Sequence, residues 1–144
     1  MKAFVLFLAV VVFSINRIYA QALSNDPAFG QIVAKLIRYP ALAHQQQKVS
    51  EAYVNFKIDS QGKITDVSVL NATHVDPSFK KEISRVWKQL PTQDRKYKGD
   101  YVLPVSFMLD TKSQLKRAKP ESSILIQKSS QYTLSKAVVV TAYI

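Results

Sequence analysis

The side chains best suited to catalysis or metal binding are few in this chain, and they are widely spaced. The two histidines, His44 and His74, have no acidic residue beside them at the spacing that zinc sites use. Asp59, Asp66 and Asp76 lie where turns and helix starts are expected, so we interpret them as turn and cap residues rather than as a pair of catalytic acids. The sequence therefore predicts neither an enzyme nor a metal site.

The composition excludes further classes of chemistry. There are no cysteines, which excludes disulfides, thiolate metal sites and cysteine nucleophiles. With 3 glycines the chain has no phosphate-binding loop and no Gly-x-Ser-x-Gly motif, and we expect no cofactor. The net charge of +10 attracts anions. Because the chain lacks a basic-aromatic recognition motif, we do not expect nucleic acid as the partner.

The first twenty residues have the features of a secretory signal peptide. Lys2 supplies the positive start, Ala3 to Phe13 is continuously apolar, and Ala20 is a small residue at a suitable cleavage position. The rival interpretation is a membrane anchor, which needs about 20 apolar residues. The apolar run is shorter than that, and Arg17 interrupts its extension. We predict that residues 1–20 are a signal peptide, cleaved after Ala20, and that the mature protein is periplasmic.

Two stretches have the pattern of amphipathic helices that begin with Asp-Pro. Asp26 and Asp76 can each cap a helix, and the proline that follows each of them fits the first helical position. Apolar residues then recur at helical spacing. They are Phe29, Ile32, Val33, Leu36 and Ile37 in the first stretch, and Phe79, Ile83, Val86, Trp87 and Leu90 in the second. We predict a further short helix from Ala41 to Gln46, and we predict that Trp87 fills the core.

Three segments have the alternation of half-buried strands. Ala52 to Ile58 and Ile64 to Leu70 flank the turn residues Asp59 to Gly62, and Tyr101 to Leu109 follows the second long helix. We predict an α+β fold in which two or three helices pack on an antiparallel three-stranded sheet. Pro104 lies inside the third strand and cannot donate a ladder hydrogen bond, which predicts that this strand lies at an edge.

The chain changes character after residue 110, which divides it into a domain at 21–110 and a tail at 111–144. The tail begins with a basic, polar linker. It continues with two β-prone segments, Ile124 to Ile126 and Ala137 to Ile144. An apolar strand left exposed is prone to aggregate. We therefore expect the tail strands to extend the sheet at the third strand, or to swap onto a second copy and form a homodimer.

The order of helix, hairpin, helix and strand, together with three motifs, resembles the TonB C-terminal domain family. The motifs are Tyr39-Pro40 before the hairpin, Asp-x-x-Gly-Lys-Ile over residues 59–64, and Leu-Pro-Val-x-Phe-x-Leu over residues 103–109. The resemblance covers Tyr39 to Leu109, roughly half of the chain. It does not extend to the tail.

This resemblance implies a protein-binding module that adds a TonB-box-like segment of an outer-membrane receptor, or a strand of another envelope protein, to an open sheet edge. The edge residues that it implies are Tyr101, Val102, Leu103, Pro104, Val105, Ser106 and Phe107. Family members carry a membrane anchor and a long proline-rich spacer. Between Ala20 and Pro40 there is no such spacer, so energy transduction would need separate, anchored partners.

A second surface follows from helical periodicity. Lys81, Arg85 and Lys88 lie opposite the apolar face of their helix, and we predict a solvated basic face that steers acidic partners. The alternative function that this charge suggests is an envelope module that binds peptidoglycan or anionic lipid. Salt separates the two functions, since binding through charge weakens steeply with ionic strength and strand addition does so much less.

Overall fold

In the part of the chain that the structure describes, three helices pack against a six-stranded sheet, which confirms the predicted α+β class. The structure is a computed structural model that describes residue 23 and residues 26–111, 114–119 and 132–144. The leader predicted at residues 1–20 and the β-segment predicted at Ile124 to Ile126 lie outside the described residues. The predicted three-stranded sheet was too small, because strands after residue 110 join it.

The described residues contain three helices, of which the first and the third begin at the predicted Asp-Pro pairs. They are α1 (Pro27–Leu36), α2 (Ala41–Gln45) and α3 (Pro77–Gln89). The carboxylate of Asp26 accepts a hydrogen bond of 2.9 Å from the amide of Ala28, and Asp76 accepts one of 3.0 Å from the amide of Ser78. Each cap satisfies an amide that has no partner within its helix.

The sheet contains the three predicted strands and three further ones. In chain order they are β1 (Ser50–Ile58), β2 (Ile64–Val69), β3 (Gly99–Thr111), β4 (Gln114–Lys116), β5 (Thr133–Leu134) and β6 (Val138–Tyr143). Strand β1 pairs antiparallel with β2 and β3, and β4 pairs antiparallel with the end of β3. Strands β5 and β6 pair with β3 in parallel. The sheet is therefore mixed.

The turn between β1 and β2 requires its glycine for two reasons. Gly62 has φ of +83°, a backbone conformation that L side chains rarely adopt. A Cβ atom at this position would also lie 2.0 Å from the main-chain oxygen of Gln93. The amide of Gln93 donates to the Gly62 carbonyl at 2.8 Å, so this turn also anchors the loop that leads to β3.

Aromatic side chains of the helices and the sheet form the centre of the core. Trp87 is 5% exposed, and its ring lies 6.0 Å from that of Phe56 on β1, measured between centroids. Phe79 of α3 lies 4.6 Å from Phe107 of β3, and Phe29 of α1 stacks on Phe56 at 5.3 Å. The prediction that Trp87 is a core residue is confirmed.

Candidate functional site at the tail-covered side of β3

The strand predicted as an open edge lies in the interior of the sheet. On one side, Gly99 to Phe107 pair with β1. On the other side, Tyr101 and Val102 pair with β5, and Val105 to Asp110 pair with β6. All seven predicted edge residues, from Tyr101 to Phe107, are buried. The prediction of an open edge was therefore wrong, because the tail supplies the neighbouring strands.

Pro104 marks the point where this pairing is interrupted. The Val102 carbonyl accepts a hydrogen bond of 2.8 Å from the amide of Ser135, which places Val102's main-chain groups on the tail side. Because these groups alternate in direction along a strand, the nitrogen of Pro104 also faces the tail. Pro104 lies between the residues that pair with β5 and those that pair with β6. The missing donor of Pro104 thus lies opposite a break between the two tail strands.

Strand β6 contributes alternate side chains to the core. Val138 is buried, and Val140 is half-buried and packs against the core cluster. Val138 lies close to α1: a methyl group added at Gly30 would be 3.9 Å from Cγ2 of Val138. The tail therefore closes the apolar space between α1 and β3, as well as completing the ladder of β3.

Two polar contacts connect the tail to α2 and to the residues that follow it. Nε2 of His44 lies 2.9 Å from the main-chain oxygen of Tyr143, which requires His44 to donate from that nitrogen. The ammonium group of Lys116 on β4 donates to the main-chain oxygen of Gln47 at 2.9 Å. The sequence offered no sign of either contact.

A groove of about 410 Å³ opens where the tail leaves β3. Its walls are α1 and the segment from Ser135 to Val139, and Leu103 of β3 also lines it. Most of the lining is apolar, so the groove suits an aliphatic or aromatic side chain better than a charged group. The hydroxyl of Ser135 is buried and has no hydrogen-bond partner among the described residues, so this part of the tail contains an unsatisfied polar group there.

The predicted basic face differs from expectation at its central residue. Lys81 and Lys88 are exposed, as predicted. Arg85 instead forms an ion pair of 2.6 Å with Glu82 and donates to the main-chain oxygen of Leu36 at 2.8 Å. Arg85 is therefore a bridge between α3 and the end of α1, and the exposed cations of this face are Lys81 and Lys88.

Several ionisable groups have shifted pKa values, each with a local cause. The hydrogen bond from the amide of Ala28 lowers the pKa of Asp26, and the hydroxyl of Tyr97 adds to the effect. The side-chain hydrogen bond from Arg85 lowers the pKa of Glu82. Burial raises the pKa of Tyr101 to about 12. These shifts belong to caps, bridges and core residues, so none of them marks a nucleophile or a general base.

Strands β4 and β5 were missed by the sequence analysis. The stretch from Asp110 to Pro120 is predicted to be a linker or a loop, yet Gln114 to Lys116 return along β3 as the second strand of a hairpin. Thr133 and Leu134 form a strand too short for an alternation pattern to be visible. For β6 the signal was present, since the β-prone run from Val138 is a strand as predicted.

The described part of the chain has no group of three or more histidine or acidic side chains placed to hold a metal ion. It also contains no helix long and apolar enough to cross a membrane. Comparison of the chain with known protein families, with curated proteins and with solved structures finds no match.

Proposed function

We propose that this protein is a peptide-binding module of the bacterial periplasm that takes a partner strand at the tail side of β3. In this proposal β6 is an internal competitor that a partner displaces. The observation that carries it is the pairing of Val105 to Asp110 with β6, because a separate strand of the same chain has been added to this side of β3. Strand addition is a general mode of peptide recognition.

The resemblance to TonB C-terminal domains supports the same position for a partner. The sheet order β2-β1-β3 leaves the far side of β3 for an added strand. We propose as partner a TonB-box-like segment of an outer-membrane receptor, or an extended segment of another envelope protein. Such a strand would bind mainly through its main chain, and alternate side chains would take the positions of Val138 and Val140.

The pairing of β6 with β3 is strong enough to affect the binding of a partner. A fully buried aliphatic side chain contributes about 1.5–3 kcal/mol, and each main-chain hydrogen bond adds about 1 kcal/mol. Together these interactions stabilise the form in which β6 is paired with β3 by at least about 3 kcal/mol. They come from the buried Val138, the half-buried Val140 and the ladder hydrogen bonds of β6. A preference of that size for the paired form over the open form lowers the apparent affinity for a partner strand by about a hundredfold.

A proline substitution tests this proposal in the full-length chain. The amide of Ile144 donates to the carbonyl of Asp110 at 3.1 Å. By alternation, the amide of Ala142 also faces β3, whereas that of Thr141 faces away. Ala142→Pro should therefore release β6, and Thr141→Pro should leave it in place. These two variants form a matched pair on one strand.

The measurement is fluorescence anisotropy with a labelled synthetic peptide of residues 132–144 as the probe strand. Ala142→Pro should bind the probe at least about tenfold more tightly than the wild type, since the competitor is weakened. Thr141→Pro should match the wild type. Equal affinity in all three proteins, with their folding verified by circular dichroism, would contradict the proposal.

The alternative function is binding of peptidoglycan or anionic lipid, and the exposed ammonium groups of Lys81 and Lys88 favour it. Salt distinguishes the two functions in the same assay. Strand addition should weaken little as ionic strength rises, whereas binding to phosphatidylglycerol vesicles or peptidoglycan through charge should weaken steeply. Tight, salt-sensitive binding to these surfaces together with no binding of the probe peptide would favour the alternative.

A further inference from the structure

A second groove, of about 350 Å³, lies between β2 and α3, at the end of the sheet that is remote from the tail strands. Its apolar lining comes from both elements: Val67 and Val69 of β2, and Ile83 and Trp87 of α3. Ile83 and Trp87 are four residues apart, so they lie on the same face of the helix. Small-molecule sites have volumes of about 300–1,000 Å³. The groove therefore has the size of a site for a small ligand.

The polar side chains that line this groove are hydrogen-bond donors. Lys80, Ser84 and Lys88 follow one another at intervals of four residues along α3 and all line the groove. The ammonium group of Lys80 donates to a main-chain oxygen at 3.2 Å, whereas Lys88 is exposed. Among the described residues that line the groove there is no acidic side chain, while the groove beside the tail includes Asp26. The charge of the groove between β2 and α3 therefore suits an anion.

Trp87 adds a donor for which the described residues supply no acceptor. Its side chain is 5% exposed and lines the groove. The Nε1 atom is buried and has no hydrogen-bond partner in the part of the chain that the structure describes. Because an indole can only donate, and a buried donor without an acceptor is costly, this nitrogen calls for an oxygen. A ligand oxygen in the groove would supply it.

We propose that this groove binds a medium-chain carboxylate, a molecule with one aliphatic chain and one terminal carboxylate. The chain packs against the apolar side chains of β2 and α3. The carboxylate pairs with the ammonium group of Lys88 and accepts from Nε1 of Trp87. A peptide strand is a poorer occupant, since the pairing of β2 with β1 is irregular and Asp66 has a positive φ of 53°. The proposal does not depend on strand addition at β3.

Fluorescence titration of the full-length chain with sodium decanoate tests the site, because Trp87 is the sole tryptophan of the chain. Its emission should change and then saturate. Octanoate, which is shorter by two methylene groups, should bind about tenfold more weakly, since each buried methylene group is worth about a fourfold change in affinity. The uncharged analogue decanamide should bind at least about threefold more weakly than decanoate. An emission that does not saturate, or equal affinities for octanoate and decanoate, would overturn the proposal.

Two lysine variants separate the groove from the general positive charge of α3. Lys88→Ala and Lys81→Ala each remove one exposed cation from the same helix, but only Lys88 lines the groove. In the same titration, Lys88→Ala should bind decanoate about fivefold more weakly than the wild type, and Lys81→Ala should stay within about twofold of it. Equal weakening in the two variants would show that charge alone attracts the anion, and it would overturn the proposal.

Trp87→Phe tests the indole donor. The variant keeps most of the ring and lacks Nε1, so its binding is measured by calorimetry and its folding by circular dichroism. Decanoate should bind about fivefold more weakly than to the wild type, because the carboxylate loses a charge-assisted hydrogen bond. An unchanged affinity in the folded variant would overturn the role of Nε1, whatever the lysine variants show.

Discussion

Arg85 donates a hydrogen bond of 2.8 Å from Nη2 to the main-chain oxygen of Leu36, the last residue of α1. The guanidinium group also pairs with Glu82, whose carboxylate accepts from the amide of Arg38 at 2.7 Å. Together these contacts join α3 to the end of α1. An arginine suits this position because its planar donors can serve a carboxylate and a carbonyl at once.

We expect Arg85→Ala to lower the free energy of unfolding by about 1–2 kcal/mol, because the Leu36 carbonyl and the Glu82 carboxylate both lose a donor. Lys88→Ala on the same helix is the matched control and should change stability by less than about 0.5 kcal/mol. Urea denaturation measures both. Equal effects would show that Arg85 has no bridging role.

Charge reversal at Lys81 and Lys88 should act on association and leave the fold intact. Both side chains are exposed, so Lys81→Glu with Lys88→Glu should slow the association rate with an acidic partner or an anionic vesicle, most clearly at low salt. Stopped-flow fluorescence measures the rate, and the melting temperature serves as the control. A large loss of stability with an unchanged rate would contradict a steering role.

Two replacements of Trp87 separate the effect of its ring volume on stability from the effect of its indole nitrogen. The Nε1 atom is buried and has no hydrogen-bond partner within the described residues, so the ring contributes through packing against Phe56. Trp87→Ala should cost about 3–5 kcal/mol. Trp87→Phe should cost less than about 1.5 kcal/mol, because it keeps most of the packing and removes an unsatisfied donor. Chemical denaturation measures the loss of free energy of unfolding in both variants. Similar losses would contradict the separate effects of the ring volume and the indole nitrogen.

Stability should fall at acid pH, partly because of Asp76. Hydrogen bonds from the Lys48 ammonium and then from Ser78 lower the pKa of Asp76 well below its ordinary value of 3.8. The folded carboxylate therefore binds protons less readily than the unfolded one. The contribution of Asp76 to the free energy of unfolding is complete above pH 3.8 and is lost as pH falls toward the pKa of the folded state. Asp76→Asn keeps a good cap and should make the melting temperature less dependent on pH below 4; an unchanged dependence would exclude Asp76 as a source.

Deletion of Pro120 to Ile144 should expose the tail side of β3 completely. If β6 is a competitor, the shortened chain should bind the probe peptide of residues 132–144 more tightly than the full-length protein does. It should also aggregate more readily, since an unpaired and apolar β3 becomes an open edge. Anisotropy and light scattering measure the two effects. Unchanged affinity in a folded, shortened chain would argue against competition by the tail.

The sequence by itself determined the local elements, because their causes are local. Asp26 and Asp76 begin helices through caps that involve the next two residues, and Gly62 forms a turn that few other residues can adopt. The burial of Trp87 followed from the helical spacing of its apolar neighbours. The edge position predicted from Pro104 was wrong, because β3 has neighbours on both sides; only the missing donor of Pro104 faces a break in the pairing.

Tertiary structure alone decided which strands lie beside β3 and which basic side chains of α3 are exposed. Strand β6 reaches β3 from about thirty residues further along the chain. The alternation of side chains predicts that a segment is a strand, but it does not show which other strand it pairs with. The same limit applies to Arg85, whose helical position predicted exposure. Its carbonyl partner on Leu36 lies 49 residues away and becomes a neighbour only when the two helices pack together.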